Sequence, residues 1–134
     1  MIGIDTNILV RYIVQDDKTQ SKLASDLIDN QCSEENLGYI NLIVMCELVW
    51  VLERAYGYDK QLIAQVIEQI LVTDVFEVQS SDTAWKALRD YRSGSANFSD
   101  FIIAHINKDA GVRKTYTFDK KAARNKLFAL LENV

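Results

Sequence analysis

The feature that most constrains this chain is its alternation: short β-prone segments are separated along its length by stretches with helical period. Ile2 to Ile4 is an apolar, β-prone opening. Thr6 to Val14 carries Ile8, Leu9, Tyr12 and Ile13 at helical spacing, and Lys18 to Asn30 repeats the pattern with Leu23, Ala24, Leu27 and Ile28. Leu37 to Ile40 reads as a second strand after the polar turn Ser33 to Asn36. Helices are predicted at Leu42 to Tyr56 and at Lys60 to Val72, the latter with Leu62, Ile63, Val66, Ile67 and Ile70 on one face. Val75 to Val78 is a strand, and Ser81 to Arg92 is a helix with Ala84, Trp85, Leu88 and Tyr91 inward. After the small, polar connection Ser93 to Asn97, a helix is predicted over Asp100 to Ala110, stopped by Gly111. Thr115 to Phe118 (strand), Lys120 to Asn125 (short helix) and Leu127 to Leu131 (strand) complete the pattern. Strands alternating with helices predict an α/β fold of parallel β-α-β units, a three-layer α/β/α sandwich. In such sheets ligands bind beyond the carboxyl ends of the strands, which says where to look for chemistry.

The 134 residues suit one domain, expected over 1–134, because no repeat or linker-like tract divides them. Hydrophobic residues make up 49% and charged residues 25%, which excludes a disordered or fibrous chain. Fifteen Lys and Arg against nineteen Asp and Glu give a net charge of -4. That balance argues against a protein that coats nucleic acid with positive charge and against a binder of acidic membranes. Cys32 and Cys46 have no paired spacing, so a disulfide scaffold and a cysteine zinc site are not expected, and a reducing compartment is. The opening Met1 to Asp5 has no basic region leading into an apolar stretch, so secretion is not expected either. The most apolar run, Ile40 to Leu52, is broken by Asn41 and Glu47 and falls short of the ~20 residues a membrane span needs. It reads as a buried helix in a soluble, cytoplasmic protein.

Four acids fall where the chemistry should be. Asp5 closes the first strand, Asp119 closes the strand at 115–118, and Asp100 opens a helix directly after a loop. Glu47 is the only charged residue between Asn41 and Leu52, and Ile43, Val44, Trp50 and Val51 occupy the positions three and four away. A carboxylate buried there without a cation would be costly, which singles it out. Asp5, Asp100 and Asp119 each have an alternative role as helix caps. Other acids differ in having a helical cation: Asp82 and Asp90 have Lys86 four residues away, and Asp26 has Lys22. Together the four suggest an oxygen-ligand site for Mg²⁺ or Mn²⁺ and metal-assisted hydrolysis of a phosphodiester.

These residues resemble the PIN-domain family, most closely its small VapC-type toxin ribonucleases. Asp5-Thr6-Asn7 after an apolar strand looks like the family's opening motif, and Glu47-Leu48-Val49-Trp50 carries the second acid. Asp100-Phe101-Ile102-Ile103-Ala104 is similar to the third motif and Thr117-Phe118-Asp119 to the fourth. The resemblance covers essentially the whole chain. It implies a central, mostly parallel five-stranded sheet, a Mg²⁺- or Mn²⁺-dependent endoribonuclease acting on RNA, a homodimer, and inhibition by a cognate antitoxin. Asp5 and Asp100 would be the principal metal ligands, with Glu47 and Asp119 completing the site and Thr6 and Thr117 as supporting hydroxyls.

Positive charge is concentrated near the fourth acid. Residues 108–126 carry a net charge of +5, leaving -9 for the rest, so Lys120, Lys121 and Arg124 are candidates for holding RNA phosphates. His105, the sole histidine, sits beside Ile106 in an apolar helix and reads as structural, and Cys46 reads as core. Trp50 and Trp85 are expected to pack between helix and sheet rather than to stack on bases. An aspartyl-nucleophile phosphatase would want an acid two residues after Asp5, where Asn7 stands. Two other readings stay open: a PIN-like protein-binding module whose acids only cap helices, and a metal-dependent nuclease directed at DNA.

Overall fold

The computed structural model describes residues 1–132, so the last two residues of the expected domain lie outside the described residues. The chain forms two compact units, Met1–Ser81 and Asp82–Val134. The first contains β1 (Ile2–Gly3), α1 (Thr6–Val14), α2 (Lys18–Gln31), β2 (Gly38–Ile40), α3 (Leu42–Arg54), α4 (Lys60–Val72) and β3 (Phe76–Val78). Its four helices all start on an Asp or Asn side chain that accepts a backbone N–H: Asp5 from Thr6, Asp17 from Gln20, Asn41 from Val44 and Asp59 from Leu62. Such caps satisfy donors that the first helical turn leaves free, each contributing about 1 kcal/mol. β1, β2 and β3 form a parallel sheet in that order, with Gly38 opposite Ile2 on one side and Phe76 on the other. A Cβ on Gly38 would stand 3.1 Å from the Cys32 sulfur and 3.2 Å from both Ile4 and Phe76, so side chains close over this strand where a glycine leaves room. Leu9, Ile40, Met45, Leu48, Leu52, Ile63 and Ile67 are fully buried. α1, α4 and β3 also line a largely apolar groove of about 350 Å³ that includes Leu9, Ile13, Leu62, Val66 and Phe76.

The second unit contains all but the first residue of α5 (Ser81–Ser93), then α6 (Phe98–Asp109), β4 (Thr115–Thr117), a 3-10 turn at Ala122–Arg124 and β5 (Phe128–Leu130). β4 and β5 pair in parallel, Thr115 opposite Phe128 and Thr117 opposite Leu130. Leu88, Phe98 and Phe101 anchor its core, and the rings of Tyr91 and Phe98 meet edge to face at 5.7 Å.

The α/β class and the parallel strand pairing are as the alternation predicts. Among the described residues the strands register as a three-stranded and a two-stranded sheet, where the resemblance implied one sheet of five. Each strand is only two or three residues long, so each ladder rests on few bonds. α6 starts two residues earlier than expected because Asp100 is the third residue of the helix, not its cap, and the predicted helix over Lys120 to Asn125 is a three-residue 3-10 turn. Trp50 and Trp85 depart from the expected packing. Trp50 is 60% exposed under the Arg54 guanidinium, and Trp85 lies off the buried stripe Thr83, Ala84, Ala87, Leu88 and Tyr91. Both cysteines are free, Cys32 buried and Cys46 half-buried, with the Cys46 thiol pushed up to about 11 by burial. Among the described residues no helix is long and apolar enough to cross a membrane.

Candidate active site

Strand ends and helix starts position the four acids. In the first unit, Asp5 follows β1 and caps α1, its Oδ1 accepting the Thr6 N–H at 2.8 Å. Thr6 is buried, and its hydroxyl donates to Glu47 Oε1 at 2.8 Å. A single residue thus ties the first acid, through its amide, and the second, through its side chain, although they lie 42 positions apart in sequence. Glu47 is exposed, which corrects the expectation of a buried carboxylate. α3 is apolar on nearly every side, and its buried face runs through Leu42, Met45, Leu48, Val49 and Leu52. Glu47 lies on the other face between the exposed Ile43 and Trp50, so no desolvation cost marks it out. What marks it is the hydroxyl aimed at it.

In the second unit, Asp100 is half-buried in the first turn of α6, its Oδ2 accepting the Asn97 N–H at 3.1 Å. Burial pushes its carboxyl above the ordinary carboxylate value; the charge of Asp119 adds to the rise, against the Asn97 hydrogen bond. Asp119 is exposed, and its Oδ1 accepts the N–H groups of Lys121 (2.8 Å) and Ala122 (3.3 Å) at the start of the 3-10 turn. Its own N–H donates to Thr117 Oγ1 at 3.0 Å, so Thr117 orients the Asp119 backbone rather than a carboxylate.

The structure therefore shows two pairs, Asp5 with Glu47 and Asp100 with Asp119. Among the described residues none of the four acids takes part in an ion pair. Among the same residues no three or more His, Cys, Asp or Glu side chains are gathered to hold an ion as they stand. The chemistry of each pair fits a hard divalent cation: the donors are carboxylate oxygens, and the charge of Asp119 makes Asp100 harder to ionise, which a cation relieves. The capping alternative holds as well. Asp5, Asp100 and Asp119 each use one oxygen on a backbone N–H and keep the other.

A third group escaped the sequence reading. His105 is 4% exposed, and its Nε2 lies 2.7 Å from Asp90 Oδ2, which also accepts Asn125 Nδ2 at 3.2 Å. Asn125 Oδ1 in turn accepts the Leu127 N–H at 2.8 Å, so the network fastens α5, α6 and the segment leading into β5. Burial works against the charge of Asp90, but hydrogen bonds from His105 and Arg89 outweigh it and hold the carboxyl below its ordinary value. Asp90 thus answers to His105 and Arg89 (3.3 Å), not to the Lys86 suggested by helical spacing. Lys22 and Asp26 do pair as that spacing predicts, at 2.7 Å. No local signal could have joined residues 90, 105 and 125.

The PIN-domain family model matches residues 2–126, a span that contains all four acids in order. The chain belongs to the PIN-domain family. That family's fold is a three-layer α/β/α sandwich, consistent with the parallel strands and six α-helices among the described residues of this PIN domain. It is also similar to a VapC ribonuclease from Aquifex aeolicus (strain VF5), 22% identical over 118 residues that cover 88% of this chain and 87% of the relative. No solved structure matches the chain.

Proposed function

We propose that this PIN protein is a single-domain, Mg²⁺- or Mn²⁺-dependent endoribonuclease and the toxin of a cytoplasmic toxin–antitoxin pair. The family resemblance implies a homodimer and a cognate antitoxin, and the likeness to a VapC ribonuclease supports RNA as the polymer cut. The observation that carries the reading is that, among the described residues, Asp5, Glu47, Asp100 and Asp119 form no ion pair, although three of them are held in place by backbone N–H groups and the fourth by Thr6. Asp5, Glu47 and Asp119 are exposed and so open to water and to an ion, and only Asp100 carries a burial cost. Asp5 and Asp100 would be the principal ligands, with Glu47 and Asp119 completing the set; a bound ion would supply Lewis-acid stabilisation of the phosphodiester and an activated water. Thr6 keeps Glu47 aimed, Thr117 sets the backbone at Asp119, and Lys120, Lys121 and Arg124 offset the phosphate charge.

Thermal unfolding with and without metal tests this. Ions that bind only the folded chain raise its melting temperature, so millimolar Mn²⁺ should lift it by about 5 °C or more. Cleavage of single-stranded RNA should appear under the same conditions. An unmoved transition together with intact RNA would leave a protein-binding PIN module, and cleavage of DNA in place of RNA would redirect the reading.

A further inference from the structure

The second unit carries an open cavity of about 370 Å³ lined by Asp90, Ser93, Ser95, Lys121, Arg124 and Asn125, with Gly94 and Phe101 in its wall. We infer that this cavity seats one nucleotide of the RNA strand, its phosphate on Lys121, Arg124 and the Ser95 hydroxyl and an O–H or N–H of its sugar or base on Asp90. The inference rests on the nuclease reading for the identity of the polymer, and goes beyond it in naming where a nucleotide is gripped.

Two chemistries line the cavity. An Arg124 guanidinium nitrogen donates to Ser95 Oγ at 3.2 Å, which fixes the fork while leaving other N–H groups to bind, and Lys121 stands three residues before it. A phosphate oxygen needs such fixed donors and charge. The Asp90 carboxylate is an acceptor only. His105 and Asn125 hold its Oδ2 and Arg89 donates to its Oδ1 at 3.3 Å, so it cannot turn away, and Oδ1 keeps lone-pair capacity for a further donor. A nucleotide carries both halves of this pattern, an anion and, a few ångströms away, hydroxyl or ring N–H donors. The volume suits one such unit and lies near the low end of the ~300–1,000 Å³ of small-ligand sites.

The wall is built for closeness. A Cβ on Gly94 would lie 2.7 Å from the Phe101 ring and 2.8 Å from the Asp90 carbonyl oxygen, so the loop Ser93–Asn97 is pressed against α6 where the sequence reading saw only a polar connection. The cavity also adjoins the candidate acids along the chain. Phe101 follows Asp100, and the Asp119 carboxylate holds the N–H of Lys121. A nucleotide seated here would be a near neighbour of the phosphodiester that those acids would handle. Lys120, from the same basic run, does not line the cavity.

Titration of the protein with uridine and guanosine 5′-monophosphates in EDTA, followed by amide NMR shifts, tests the assignment without cleavage. Saturable shifts centred on Ser95, Lys121 and Asn125 are expected for at least one of the two nucleotides. Arg124→Ala and Ser95→Glu, the latter setting a carboxylate against the guanidinium, should each weaken binding at least tenfold, while Lys18→Ala, at the start of α2 in the first unit, should leave it unchanged. Shifts spread evenly over 108–126, a Lys18→Ala effect as large as that of Arg124→Ala, or inorganic phosphate binding as tightly as the nucleotides would each overturn the assignment. Nucleotide binding in a protein that cuts no RNA would sink the nuclease reading and spare the cavity; RNA cleavage without nucleotide binding would do the reverse.

Discussion

The two pairs of acids are held in opposite ways. Asp5 and Glu47 are linked through Thr6, whose buried hydroxyl and amide give each carboxylate a donor, and neither needs a further partner to keep its place. Asp100 and Asp119 share no donor; each is fixed by its own backbone turn, and Asp119's charge makes Asp100 harder to ionise. The first pair is pre-aimed by hydrogen bonding, whereas the second is poised against itself. A divalent cation would therefore meet oxygens already aimed in the first pair and relieve the charge of Asp119 on Asp100 in the second.

The largest effect should come from removing charge at either pair while keeping shape. Asp5→Asn and Asp100→Asn should each lower RNA cleavage by about 10³-fold or more, since several kcal/mol of charge stabilisation is lost, with the far-ultraviolet circular dichroism of the native chain. Equal cleavage by either variant would break the comparison at its root. Next comes the link in the first pair. Thr6→Val keeps the buried volume but leaves Glu47 unaimed, and should cost about 1 kcal/mol in urea unfolding and about tenfold in cleavage. No counterpart exists in the second pair, where Asp119→Ala should cost about 1 kcal/mol through two lost caps and Asp119→Asn much less.

The smallest effect is the most diagnostic. The Asp100 carboxyl sits above its ordinary value in the folded chain, so the folded state holds that proton more firmly than the unfolded one. Its contribution to stability is complete below about pH 4 and is lost as pH rises beyond that. Metal-free Asp100→Asn should therefore become progressively more stable relative to the native chain as pH climbs through that range. A stability difference that stays constant across that range would mean that burial and the Asp119 charge do not act on Asp100 in the folded chain.

Much of this fold was legible because its signals are local. α1 and α4 match the predicted Thr6 to Val14 and Lys60 to Val72 to the residue, since each has an aspartate before it and an apolar stripe within. Asp5 and Asp119 do follow strands, as alternation and short turns require. What failed was orientation around an axis. α3 is apolar nearly throughout, so its sequence could not say that Glu47 and Trp50 face outward while Met45 and Leu48 face in. Thr6 meeting Glu47, and Asp90 meeting His105 and Asn125, are contacts between distant segments that no periodicity encodes. Nothing in the sequence marks Ser93 to Ser95 as a cavity rim, because small polar residues look alike whether they form slack chain or line a pocket.

Asp5, Asp100 and Asp119 each divide their two oxygens between an amide of their own backbone and open space. An asparagine offers the same inward oxygen and presents a neutral group outward. On the proposed nuclease reading, exchanging all three would thus yield an inert twin, shaped like the original and able to hold RNA without cutting it.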